Sequence, residues 1–195
     1  MTNDLNTLLT ALYVRIDDWL TQTGQHVRPG RPPRLTDAEL LTVAIAQALL
    51  GIRSETRRLR FLPRHLPGAF PSLPGRSGYD KRLRSALPLL QRTICALARD
   101  SDLWADPVWV IDSTPIEYRN LAPRPGEQFL KPIRQLIESV NETLKGRLGL
   151  ELHGGRSPSG VAVRAAQRIL ALTAAIWHNR ATGQPVTRSL IAYDH

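Results

Sequence analysis

The chain has 195 residues, and 42% of them are apolar, which suits one ordinary domain or two small ones with a hydrophobic core. Charged residues make up 22%, and this balance excludes wholesale disorder. The single cysteine, Cys95, excludes an internal disulfide and a four-cysteine zinc site, so we expect a reducing, cytoplasmic environment. The sequence has no stretch of about 18 apolar residues and no N-terminal export signal. We therefore expect neither export nor a membrane partner.

The positive charge is concentrated in one part of the chain. The formal net charge is +9, from 26 basic and 17 acidic residues. Residues 1–50 carry 4 basic and 5 acidic residues, residues 51–92 carry 10 and 2, and residues 93–195 carry 12 and 10. The corresponding net charges are −1, +8 and +2. Such a local excess is typical of a surface that binds a polyanion, and a solvated helical face is the alternative interpretation.

Helical spacing of apolar residues predicts two helices in the first fifty residues. The first runs from about residue 4 to residue 21. A proline-rich linker over 24–33 follows, because proline lacks the backbone donor that a helix needs. Thr36 and Glu39 form a predicted capping box at the start of the second helix, which runs to Leu50 and stops at Gly51.

The basic segment predicts further short helices. One starts near Ser54, and prolines between residues 63 and 74 then impose a loop. Ser77 is predicted to cap the next helix, whose apolar face extends to Leu97 and which Pro88 should kink or split. On its apolar face Cys95 is expected to be a small buried residue. Short helices with exposed basic residues are typical of helix-turn-helix-like DNA-binding regions, and equally of a small helical bundle.

The apolar pattern changes after residue 106. Val108–Ile111 is a run of apolar, mostly β-branched residues that predicts a buried strand ending at Asp112. A carboxylate at the end of such a strand lies at the sheet rim where ligands bind, and a simple turn after Asp112 is the alternative. A loop over 119–132 and two more helices follow, one ending near Gly149 and the last capped near Ser157 or Ser159.

The helix that begins near residue 132 carries a charged stripe. At 100° per residue, Arg134, Glu138 and Lys145 lie at about 0°, 40° and 20°. An ordinary surface ion pair between the first two is the alternative. Two carboxylates, Asp112 and Glu138, can hold Mg²⁺ or Mn²⁺, and two such ions activate a water or a 3′-hydroxyl for attack on a phosphodiester.

This pattern resembles a known family of enzymes. Arg134, Glu138 and Lys145, with three and six residues between them, match the R-E-K part of the Y-R-E-K signature of bacterial insertion-sequence transposases. These are the DDE group with an RNase H-like catalytic core. Lys131 stands where the signature has its tyrosine, and residues 108–115 resemble the strand and first aspartate of the family.

The resemblance implies a role for each of these residues. Asp112 would be the first catalytic carboxylate and Glu138 the last, and both would bind Mg²⁺ or Mn²⁺. Arg134 and Lys145 would contact DNA at the cleavage site. The basic helical region would bind double-stranded DNA at the transposon terminal repeats, and its candidate residues are Arg57, Arg58, Arg60, Lys81, Arg82 and Arg84.

The sequence departs from the family at the second catalytic aspartate. No aspartate lies among the 25 residues between Asp112 and Glu138, and those residues are too few for the missing strands of an RNase H-like sheet. Glu117 and Glu127 are the only acids in this gap, and each is a candidate to replace the missing ligand. We therefore expect an internal deletion in the catalytic domain, with a junction near residues 119–125.

We expect a mainly α fold with a small β element. Residues 1–105 form the predicted helical, basic, DNA-binding region, and residues 106–195 form a truncated RNase H-like (α/β) catalytic core that we expect to be loosely packed. The expected function is that of a catalytically defective insertion-sequence transposase in the cytoplasm, associated with the nucleoid. The alternative is a non-catalytic protein that occupies transposon ends and inhibits an intact transposase, with that enzyme or a second copy as partner. A helical RNA- or membrane-binding module is a third interpretation, carried by charge alone.

Overall fold

A computed structural model describes residues 2–24, 33–51, 61–63, 69–102, 138–152, 154–186 and 188–193. Of these residues 74% are helical, and they include no strand, which confirms the mainly α prediction. The predicted strand Val108–Ile111 lies outside the described residues, and so the β element and the RNase H-like core stay predictions. The same is true of five predicted site residues, namely Arg57, Arg58, Arg60, Asp112 and Arg134.

Five long helices are described. They are α1 (Thr2–Gln22), α2 (Asp37–Leu49), α3 (Arg76–Ser85), α4 (Leu87–Asp100) and α5 (Pro158–Ala181). The shorter elements include a π-helical segment (Thr143–Arg147) and a 3₁₀ helix (Leu190–Tyr193). None of the described helices is long and apolar enough to cross a membrane.

The predicted helix caps of α2 and α5 are confirmed. The Thr36 hydroxyl accepts from the Glu39 amide at 3.1 Å, and the Glu39 carboxylate accepts from the Thr36 amide at 2.6 Å. At the start of α5 the Ser157 hydroxyl accepts from the Gly160 amide at 3.2 Å. Each cap satisfies backbone donors that have no partner inside the helix, a contribution of about 1 kcal/mol per cap.

The start of α3 differs from the prediction. The helix begins at Arg76 with Gly75 as its cap, whereas Ser77, the predicted cap, lies inside the first turn. The predicted break at Pro88 is confirmed, since α3 ends at Ser85 and α4 begins at Leu87. Proline has no amide hydrogen to donate one turn back, and the second position of a helix tolerates this loss.

Helices α2 and α5 lie at the centre of the molecule. Every residue of α2 from Ala38 to Leu49 is buried, and a helix that is apolar on all sides belongs in the interior. Helix α5 contacts each of α1, α2, α3 and α4. Its buried face includes Ala166, Ala171 and Ala174, whose small side chains leave room for neighbouring helices to approach.

The position of α5 corrects one expectation. We expected loose packing beyond residue 106, yet Val163, Leu170 and Ala175 of α5 belong to the same buried cluster as Leu8 and Ile45. The expectation was wrong for this helix because sequence periodicity identifies an apolar face without identifying its partner. The boundary at residues 105 and 106 stays a prediction, since residues 103–137 lie outside the described part of the chain.

Ion pairs connect helices that are distant in sequence. Arg15 of α1 pairs with Asp100 of α4 through two hydrogen bonds, of 2.6 and 3.0 Å. Two further pairs, each with an N···O distance of 2.9 Å, join α3 to its neighbours, Arg82 with Asp37 of α2 and Asp80 with Arg164 of α5.

Candidate nucleic-acid interface

Four basic side chains line one exposed face of α3 and α4. They are Lys81, Arg84, Arg92 and Arg99, and we call this set the basic stripe. Counted at 100° per residue, all four lie within an arc of about 80°. At 1.5 Å per residue the stripe is about 27 Å long.

The junction between α3 and α4 preserves this face. The Ala86 amide donates to the Arg82 carbonyl at 3.0 Å, and the Leu90 amide donates to the Ala86 carbonyl at 2.9 Å. Hydrogen bonds of the helical i to i−4 type therefore flank the break on both sides. The count of all four basic residues at 100° per residue treats the two helices as one winding.

No acidic residue occurs between Lys81 and Arg99 in the sequence. The acids that flank this stretch pair with other helices, because Asp80 binds Arg164 of α5 and Asp100 binds Arg15 of α1. Lys81, Arg92 and Arg99 form no ion pair with any described residue. Within the described part of the chain, the stripe is therefore a surface of positive charge without acidic ion-pair partners.

The three predicted DNA-binding residues of α3 do not all lie on the exposed face. Lys81 and Arg84 belong to the basic stripe, and the Arg84 Nε donates to the Asp80 carbonyl at 3.2 Å. Arg82 lies on the inner side, where it pairs with Asp37 and its side chain is 20% exposed. Its guanidinium joins α3 to the start of α2.

Sequence reasoning missed Arg92 and Arg99 as members of this surface. It continued the apolar face through Pro88 to Leu97, but it took its basic candidates only from the residues before Pro88. Applying the same phase to the basic residues would have found both, because they lie eleven and eighteen positions after Lys81, close to whole numbers of helical turns.

Cys95 lies within the stripe. It was predicted to be buried, but it is exposed, between Arg92 and Arg99 on the same helix face. The prediction was wrong because the apolar face of α4 is narrower than assumed, with Leu89, Leu90, Thr93 and Leu97 as its buried residues. As the one cysteine of the chain, Cys95 provides a single reactive thiol on this surface.

The geometry of the stripe suits the backbone of a nucleic acid. Arginine offers a planar fork of donors to phosphate oxygens, and lysine offers a mobile point charge. The stripe can therefore bind phosphates, and contacts of this kind hold a duplex in place without themselves reading its base sequence.

A buried polar network lies between α2, α3 and α5. The Gln167 Nε2 donates to the Ala44 carbonyl at 2.7 Å, and the Tyr79 hydroxyl donates to the Gln47 Oε1 at 3.1 Å. Arg164 connects this network to α3, since it donates to the Gln167 Oε1 at 3.3 Å and to the Asp80 carboxylate. Desolvation by burial lowers the pKa of the Arg164 guanidinium, while the ion pair with Asp80 provides its counter-charge.

The two described residues of the predicted catalytic signature are both exposed. Glu138 lies in a helical segment over 138–142, and Lys145 lies in the π-helical segment that follows. A π-helix closes its hydrogen bonds over five residues, so the α-helical spacing that predicted one stripe does not apply to Lys145. The Lys145 ammonium pairs with Glu151 at 3.3 Å.

The donors for a metal ion are incomplete in the described residues. No group of three or more histidine, cysteine, aspartate or glutamate side chains there could hold a metal ion. Glu138 is the one described member of the expected pair, and Asp112 lies outside. The binding of Mg²⁺ or Mn²⁺ thus stays an implication of the resemblance, and we derive no step from it.

Comparison with known proteins found no relatives. No family model matches the chain, and no curated protein or solved structure matches it.

Proposed function

We propose that this protein binds double-stranded DNA through the basic stripe of α3 and α4 and does not cut it. The carrying observation is the exposure of Lys81, Arg84, Arg92 and Arg99, none of which forms an ion pair with another described residue. Positive side chains gain affinity by releasing the counterions condensed on DNA phosphates. Four such contacts predict that the logarithm of the affinity falls by about 3.6 per tenfold rise in salt.

The proposal includes descent from an insertion-sequence transposase, as the R-E-K spacing and the segment around Asp112 suggest. In that case the protein would occupy transposon ends and compete with an intact transposase for these DNA sites. It would act either by itself or in a complex with that enzyme. The lack of an aspartate between Asp112 and Glu138 favours this non-catalytic role over strand transfer.

A salt titration of duplex binding tests the proposal. Replacing Arg92 and Arg99 by alanine should weaken binding and lower the salt slope by about 1.8. The matched control replaces Arg156 and Arg180, two exposed arginines of other segments, so the net charge changes equally. The control variant should keep the wild-type slope.

An equal loss in both variants would mean that net charge alone drives binding and that the stripe is not the interface. An unchanged slope in the Arg92/Arg99 variant would identify the stripe as a solvated face.

A further inference from the structure

We infer that Arg164, which does not touch the DNA itself, keeps Arg84 available for phosphate binding by holding the Asp80 carboxylate. This inference rests on the proposed function of the basic stripe and assigns Arg164 as a positioning residue for it. The structural basis is the position of Asp80 near two arginines. One is the buried Arg164 of α5, and the other is the exposed Arg84 of its own helix.

Asp80 and Arg84 are ideally spaced for an ion pair. They are four residues apart on α3 with the acid first, which is the more favourable order for such a pair. The Arg84 Nε already donates to the Asp80 carbonyl at 3.2 Å, so its guanidinium lies beside this residue. Yet the Asp80 carboxylate forms no ion pair with Arg84.

The carboxylate binds Arg164 instead. The Arg164 Nη2 lies 2.9 Å from the Asp80 Oδ1, and the Arg164 side chain is only 11% exposed. A buried guanidinium needs a counter-charge more than an exposed one, because water solvates the exposed group. Gln167 holds the same guanidinium through a further hydrogen bond, which fixes its direction.

Arg76 also lies near Asp80, with its Nε 3.8 Å from the Asp80 Oδ2. Its side chain is 66% exposed, and it precedes the acid by four residues, which is the less favourable order. If Arg164 were lost, we expect the Asp80 carboxylate to turn to Arg84. One phosphate-binding side chain of the stripe would then be neutralised within its own helix.

A cycle of variants tests this inference. In the wild-type protein Arg84→Ala should lower the salt slope of DNA binding by about 0.9, the value for one phosphate contact. In the Arg164→Met background, Arg84→Ala should change nothing further, because that contact is already lost. Arg92→Ala is the matched control, and it should lower the slope by about 0.9 in both backgrounds.

Two rescue variants separate this role from a merely structural one. Adding Asp80→Asn to Arg164→Met should restore the wild-type slope, since the competing carboxylate is gone. Arg164→Lys keeps the charge and should retain the slope even where it lowers the stability. Arg156→Met has the same net charge as Arg164→Met and controls for long-range attraction.

A structure of the Arg164→Met variant decides the inference without DNA. The expected result is an Asp80 carboxylate oxygen within about 4 Å of an Arg84 guanidinium nitrogen, the usual limit of an ion pair. An Asp80 that stays away from Arg84, or equal effects of Arg84→Ala in both backgrounds, would overturn it.

If Arg84→Ala has no effect in the wild-type protein, the stripe assignment fails, and the structure of the variant still decides which arginine pairs with Asp80. A variant that does not fold is replaced by Arg164→Met/Asp80→Asn, which has no carboxylate at this position. That double variant must then retain the Arg84→Ala effect, and its absence would also contradict the inference.

Discussion

The His178 Nδ1 lies 3.1 Å from the Tyr193 hydroxyl, and both side chains are buried where the 3₁₀ helix packs against the end of α5. The Tyr193 hydroxyl donates to the Asn179 Oδ1 at 2.6 Å, so its oxygen accepts the hydrogen of His178 Nδ1. Neutral histidine then has an unprotonated Nε2, and this buried atom has no hydrogen-bond partner among the described residues. The arrangement fits the neutral imidazole.

This arrangement predicts acid sensitivity of the fold. Desolvation lowers the pKa of His178 below 6.5, Asp4 opposes the shift and Arg188 adds to it. Folding therefore favours the neutral form of His178. The contribution of this group to the free energy of unfolding is complete above about pH 6.5, and it is lost as the pH falls from there toward the pKa of the folded state. Urea unfolding between pH 5 and 8 should show this loss, with a slope of at most about 1.4 kcal/mol per pH unit from this group.

His178→Gln is the control for that experiment. Glutamine does not titrate, so the variant should show a flatter pH dependence below pH 6.5, whatever its overall stability. A slope that matches the wild-type protein would assign the acid sensitivity to other groups.

A second prediction concerns the buried network at Gln167. Gln167→Met keeps the approximate volume but removes one hydrogen bond to the Arg164 guanidinium and one to the Ala44 carbonyl. Each intramolecular hydrogen bond contributes about 0.5–1.5 kcal/mol, so losing both should lower the free energy of unfolding by about 1–3 kcal/mol. Gln91→Met on the exposed face of α4 is the control and should change it by less than about 0.5 kcal/mol. Equal effects in denaturant unfolding would contradict the assigned role.

Cys95 gives a direct test of where DNA binds. Duplex DNA should slow alkylation of this thiol by a maleimide, and high salt should restore the rate, because the thiol lies between two cations of the stripe. A variant with Cys95→Ser and Ser159→Cys places the thiol on α5 instead. DNA should leave its alkylation rate unchanged. Protection of both thiols would indicate general aggregation on DNA.

The missing second aspartate predicts an absence of strand cleavage. A mechanism with two metal ions needs a carboxylate to bridge them, and the chain has no aspartate between Asp112 and Glu138. We expect no nicking of duplex DNA with Mg²⁺ or Mn²⁺. Cleavage that the Asp112→Ala substitution abolishes would contradict this expectation and would show that the protein is an active nuclease.

Three arginines outside the described residues, Arg57, Arg58 and Arg60, are further candidates for phosphate contacts because of their charge. If they contact phosphates, replacing all three by alanine should lower the salt slope by about 2.7. An unchanged slope would confine DNA binding to the stripe of α3 and α4.

The sequence predicted features whose causes are local. Thr36 and Glu39 cap α2 with atoms only three residues apart, and Pro88 breaks its helix by its own lack of an amide hydrogen. It did not predict the partner of Asp80, because Arg164 is 84 positions away and nothing in the local pattern of either residue identifies the other. The burial of α5 escaped prediction for the same reason.

The central place of α5 has a consequence for the order of folding. The amide of Gln167 donates to the carbonyl of Ala44 across 123 positions of sequence, and α5 covers α2 along this contact. Contacts of such high sequence separation slow folding, because the chain must close a long loop before it gains any burial. During synthesis α2, with its apolar surface on all sides, leaves the ribosome more than a hundred residues before its cover. We therefore expect a nascent chain that ends before residue 158 to expose apolar surface of α2, which is the kind of surface that chaperones bind.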